Sequence, residues 1–77
     1  MTDSKLKIDK IGDKRWINSK GLYHRENGPA IIWNNKLSMF WFINDKQHRI
    51  DGPAAVHSNG RKYWRLNGIL IREFSYD

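Results

Sequence analysis

A seven-residue block occurs twice in this chain, and that repetition limits the architecture more than any other feature. His24-Arg25-Glu26-Asn27-Gly28-Pro29-Ala30 returns 24 residues later as His48-Arg49-Ile50-Asp51-Gly52-Pro53-Ala54, with five of the seven positions identical. A short segment follows each block, Ile31-Ile32-Trp33 or Ala55-Val56-His57, and then a turn, Asn34-Asn35 or Ser58-Asn59-Gly60. An aromatic strand comes next, closed by a second turn, Asn44-Asp45 or Asn67-Gly68. The last offset is 23, so the first copy holds one extra residue between Asn35 and Trp41. A β-bulge or a longer hairpin loop would absorb it. Partial copies flank the pair. Gly12-Asp13-Lys14-Arg15-Trp16 echoes Gly60-Arg61-Lys62-Tyr63-Trp64, and Ile71-Arg72-Glu73 stands where His48-Arg49-Ile50 stands. The unit is a β-hairpin followed by a fixed loop, present in about two and a half copies.

Asn-Gly and Asn-Asp between apolar runs are two-residue hairpin signals, because both central positions must accept positive φ. Strands are expected near 14–18, 21–24, 30–33, 37–43, 47–49, 54–57, 61–66 and 69–75. Pro29 and Pro53 cannot donate to a ladder and belong at strand starts or edges. The prolines also push Gly28 and Gly52 to extended geometry. Nothing reads as a helix. The expected fold is all-β, an antiparallel meander of hairpin repeats, open or curled. Residues 1–10 read as a flexible or edge segment, and 11–77 as one hairpin-repeat domain.

At 77 residues the core is thin, since a chain this short buries only about 60% of its unfolded surface. Four Trp, three Tyr and three Phe are the groups able to anchor it. There is no cysteine, which excludes a disulfide scaffold and Cys-based zinc sites. The longest apolar run, Met39 to Ile43, is far below the ~20 residues of a helical membrane span. The 1–10 segment lacks a signal-peptide core. A cytoplasmic protein without membrane contact is expected.

The net charge of +6 favours phosphate-rich partners or acidic protein surfaces. It is unevenly spread: residues 1–25 carry net +4, 26–57 net zero and 58–77 net +2. In Arg61-Lys62-Tyr63-Trp64-Arg65-Leu66, strand alternation puts Arg61, Tyr63 and Arg65 on one face. A cation–aromatic–cation stripe suits single-stranded nucleic acid, with guanidinium for phosphate and ring for base. The same stripe on an ordinary solvated face is a tyrosine packed between arginine stems. Lys14-Arg15-Trp16 repeats the basic-basic-aromatic order. The RNA-contact candidates are therefore Lys14, Arg15, Arg25, Arg49, Arg61, Lys62, Tyr63 and Arg65. For Arg25 and Arg49 a salt bridge to Glu26 or Asp51, or stacking on an indole, competes with a phosphate clamp.

His24, Gly28, Pro29, His48, Gly52 and Pro53 read as structural. A residue that recurs with a repeat answers a need of the repeat, such as satisfying backbone groups of its loop. A three-histidine metal site with His57 would want carboxylates placed behind it, and none is evident, so neither metal nor cofactor is expected. No nucleophile elbow, paired-carboxylate motif or phosphate loop points to catalysis. Phe40, Trp41 and Phe42 are consecutive, so their rings cannot all face one way. They are the candidates for self-association into a homo-oligomer.

The pattern His-Arg-x-(Asp/Asn)-Gly-Pro-Ala, an Asn/Gly turn and an aromatic strand resembles a repeat found in small proteins of tailed phages and large DNA viruses, distantly similar to the MORN hairpin repeat. It covers residues 12 to 72. The resemblance implies a hairpin array of phage or viral origin. It also implies a role in host takeover or counter-defence, for instance as an antitoxin that inhibits a host toxin ribonuclease through RNA. The competing expectation is a module that docks on an acidic host protein without nucleic acid.

Overall fold

The structure, a computed structural model, describes residues 4–34 and 37–75. Asn35 of the first Asn turn, and residues 1–3 and 76–77 of the two expected segments, lie outside the described residues. The strands are β1 (Lys5–Ile8), β2 (Lys14–Ile17), β3 (Ile31–Ile32), β4 (Met39–Phe40), β5 (Phe42–Ile43), β6 (Lys46–Gln47), β7 (Ala55–Val56), β8 (Lys62–Leu66) and β9 (Ile69–Phe74). Seven form one antiparallel sheet in the order β1-β2-β3-β4-β7-β8-β9, and β5 pairs with β6 alone. The fold is all-β and open, a meander of hairpins in a slab of 38 × 28 × 16 Å.

The hairpin tips follow from their residues. Asn44 and Asp45 have φ of 49° and 69°, and Asn67 and Gly68 have 51° and 82°. Both pairs thus take the two positive dihedrals of the turn that matches strand twist. At the opposite end of the sheet, Gly12 and Gly60 share φ 92° and close matching turns, Asp9 N–H to Asp13 O and His57 N–H to Arg61 O. The partial copy at residues 12–16 is therefore a true geometric copy. The turn between β3 and β4 closes over one more residue, Trp33 N–H to Ser38 O. The extra residue of the first copy lies in that longer loop, not in a bulge.

Two strand expectations change, and the edge alternative for the first segment holds. The stretch 21–24 contributes a single bridge, Ile17 to Tyr23, because the preceding turn is held by Asn18, whose Oδ1 accepts from Lys20 and Leu22 N–H. The stretch 37–43 is broken at Trp41. There the N–H still donates to Ala54 O, but the carbonyl accepts from His48, and the chain leaves the large sheet for its own hairpin. The segment before residue 10 supplies edge strand β1, paired with β2 from Lys5↔Ile17 to Ile8↔Lys14.

The core differs from the aromatic anchor expected. Among the described residues the buried apolar side chains are Ala30, Ala54 and Ala55, and the largest fully buried side chain is Asp13. Asp13 accepts the Asn34 N–H at 2.7 Å. Among the described aromatic residues Trp33 and Phe74 are exposed and the others half-buried, because a single layer offers each only one neighbour layer of loop or side chain.

The register sorts the side chains into two faces. One cross-strand row runs Lys7, Arg15, Ile31, Phe40, Ala55, Tyr63, Glu73. The adjacent row, Ile8, Lys14, Ile32, Met39, Val56, Lys62, Phe74, points the other way. Trp16 and Trp64 share the face of Lys14 and Lys62, and the two repeat loops lie over that face.

Candidate nucleic-acid interface

The repeat loop is built by its arginine. Arg25 lays its guanidinium 3.8 Å from the centre of the Trp16 ring and donates to Pro29 O at 3.2 Å. Arg49 does the same with Trp41 at 3.9 Å and Pro53 O at 3.1 Å. Arg72 lies over Trp64 at a looser 5.0 Å. Both strict copies therefore stack on an indole, and Arg49 also pairs with Asp51 at 3.2 Å. The histidines do a different job from the one expected. His24 Nδ1 accepts the Asn44 N–H, and His48 Nδ1 accepts the Asn67 N–H. Each caps the tip of the following hairpin, not its own Gly-Pro loop. His24 Nε2 also lies 3.2 Å from Glu26.

The opposite face carries rings between cations. Phe40 meets His57 edge-on at 5.2 Å, and His57 meets Tyr63 edge-on at 5.4 Å. Arg61 and Tyr63 line a shallow hollow with Glu73. Arg65, on the same side of β8 as Tyr63 by alternation, donates to Gly68 O at 3.0 Å. At the other end of the row stand Lys7 and Arg15. Arg15 is tied to Asp9 at 2.9 Å, with Asp13 at 3.8 Å. The Arg15 guanidinium holds the Asp9 carboxyl below its ordinary value of 3.8.

The eight RNA-contact candidates thus divide between two surfaces. Arg15, Arg61, Tyr63 and Arg65 lie on the ring face. Lys14 and Lys62 lie on the loop face, with Arg25 and Arg49 folded into the loops there. Three residues of the ring face were not among the candidates: Lys5, Lys7 and His57. The alternation Lys5-Leu6-Lys7-Ile8 was the available signal for the first two. His57 gave none, since its neighbours Phe40 and Tyr63 are set by strand pairing. The three self-association candidates have partners within the chain: Phe40 with His57, Trp41 with Arg49, and Phe42 with Tyr23 at 5.6 Å.

Among the described residues no cluster of three or more His, Cys, Asp or Glu could hold a metal, and no helix is long and apolar enough to cross a membrane. Fold and surfaces together define an open array of β-hairpin repeats with a basic, ring-bearing face. No family model, curated protein or solved structure matches this chain.

Proposed function

We propose that this chain is a non-enzymatic module that binds single-stranded RNA along its ring face. Bases lie against Tyr63 and its neighbours His57 and Phe40, with phosphates held by Arg61 and Arg65 on one side and Lys5 and Lys7 on the other. The observation that carries this reading is the row of three rings that shares one face with Arg61 and Arg65 beside Tyr63 and with Lys5 and Lys7 of edge strand β1. Sheet faces of this composition suit unstacked bases, and the described residues form no helix that could enter a duplex groove. In the phage setting that the repeat implies, the module occupies or presents RNA and so blocks a host toxin ribonuclease in the host cytoplasm. Self-association on RNA would make the binding cooperative.

The faces sharpen the test. Arg61→Glu with Arg65→Glu is expected to abolish binding of a single-stranded oligonucleotide in fluorescence anisotropy, whereas Lys62→Glu, on the far face, leaves most of it. Tyr63→Ala is expected to cost roughly 1–3 kcal/mol of binding. Glu73→Gln is expected to tighten it, because Glu73 sits beside Tyr63 in the same row. Affinity falls steeply with salt through counterion release. Equal losses for Lys62→Glu and Arg61→Glu/Arg65→Glu would exclude the ring face as the site.

A second reading, docking on an acidic host protein without RNA, is favoured by one observation. The outer strand β9 exposes Ile69, Leu70, Ile71 and Phe74, more apolar surface than a solvated edge needs. Purified protein free of nuclease-sensitive material absorbing at 260 nm would favour this reading.

A further inference from the structure

The two repeat loops share the same arginine stack and the same bond to a proline carbonyl, and the two positions where they differ in charge, Glu26 against Ile50 and Asn27 against Asp51, line the groove between them. That groove is about 570 Å³, and its lining includes Arg25, Arg49, Trp41 and Ile50. Arg49 has a carboxylate partner, Asp51. Asn27 stands at the matching position of the first loop, so Arg25 has no carboxylate within 4.0 Å among the described residues. Its Nη1 bonds to Pro29 O, and its Nε and Nη2 have no hydrogen-bond partner among the described residues. Burial without an anion lowers the Arg25 pKa from its ordinary value. A planar guanidinium with two open donors, fixed by stacking on Trp16, is preorganised for a carboxylate.

The rest of the lining selects the ligand. Ile50 replaces the Glu26 of the first loop and is 85% exposed, an apolar side chain with nothing to cover it. Glu26 and Asp51 are both largely exposed at the same groove, with side chains 55% and 87% accessible. These two carboxylates count against a run of successive phosphates, whereas a single acidic side chain meets Arg25, which has no carboxylate partner among the described residues. We infer that this groove docks an acidic peptide of a partner protein, with one carboxylate on Arg25 and an apolar neighbour against Ile50. It lies on the loop face, away from the ring face, and does not depend on the RNA reading.

The probe is a capped peptide with a single Asp between two leucines on a Gly/Ser background, titrated into the nuclease-treated full chain and followed by ¹⁵N NMR. Saturable shifts are expected at the Arg25 Nε–H, the Gly28 amide and the Trp41 indole N–H. The matching Asn peptide should bind at least tenfold more weakly. Asn27→Asp gives Arg25 the partner that Arg49 already has, leaves the fold in place and should weaken binding at least tenfold. Three results would overturn the site: no saturable shift at millimolar peptide, equal binding by the Asn peptide, or unchanged binding by Asn27→Asp. Displacement of the peptide by a single-stranded oligonucleotide at equal concentration would also overturn it, by reassigning the groove to RNA.

Discussion

At the scale of single residues, Gly28 and Gly52 are glycines for reasons of space. Neither has positive φ, so the requirement is not conformational. A Cβ on Gly52 would stand 2.8 Å from the Arg49 guanidinium carbon, and one on Gly28 would stand 2.9 Å from that of Arg25. The flexible arginine must then lift off its indole. Gly52→Ala is therefore expected to cost about 1–2 kcal/mol, the worth of a partly desolvated cation–π contact, and not the larger cost of a forbidden backbone. Urea denaturation measures it, and Gly52→Ala in an Arg49→Ala background should cost almost nothing. Asp9 supplies the pH dependence. Its folded pKa lies below the ordinary 3.8, with the hydrogen bond from Arg15 as the largest cause. Its contribution is complete above the unfolded value and is lost as pH falls through the lowered folded value. A carboxyl NMR titration should find its midpoint below 3.8, and Arg15→Gln should move it up.

At the scale of the hairpin, two tips of the same geometry are held differently. Asp45 is a non-glycine residue at positive φ, a strain of about 1–2 kcal/mol that glycine would relieve. Its Oδ1, however, accepts the Tyr23 N–H at 2.6 Å, and hydrogen bonds to charged groups contribute roughly 1.5–3 kcal/mol. The bond is the larger effect, so Asp45→Gly should destabilise slightly despite the preference of the turn. Asn44 adds a bond from Asn18 at 2.8 Å, so this tip is clamped to the turn before it. The other tip shares the backbone bond to the preceding segment, Gly68 N–H to Gln47 O, and the histidine cap, and has the Arg65 guanidinium donating to Gly68 O in place of the Asp45 and Asn44 clamp. Thermal melts of Asp45→Gly check the balance, and a rise in melting temperature would show that the clamp is weaker than the strain.

For the whole molecule, repeats touch mainly their neighbours, and stability is close to a sum of linked units. His48 is one link between the second hairpin and the third, through its bond to Asn67 N–H. His48→Ala hands that exposed donor to water, at about 0.5–1.5 kcal/mol, the net worth of one hydrogen bond. The loss should be local. Hydrogen exchange is expected to quicken across residues 62–74 and to change little across 5–17. Uniform quickening would mean that the array unfolds as one body. Ile71 occupies the position of His24 and His48 and is 60% exposed.

The all-β hairpin architecture, the tip conformations and the opposite facing of Arg61-Tyr63-Arg65 and Lys62-Trp64 were legible in the sequence. Each depends on local chemistry: Asn, Asp and Gly at positive φ, and the two-residue period of a strand. The break at Trp41 was not legible, because it comes from competition between Ala54 and His48 for one residue's backbone. Nor was the division of the basic candidates between two faces. That needed the register across seven strands, from Lys7 and Arg15 to Tyr63 and Glu73, and sequence periodicity carries no information between strands. The repeat by itself determined that the chain would be a β-hairpin array with an arginine in each loop. Only the tertiary structure decided that those arginines lie on tryptophans and that one of them lacks an acid, because stacking and pairing depend on distances that only the folded chain creates.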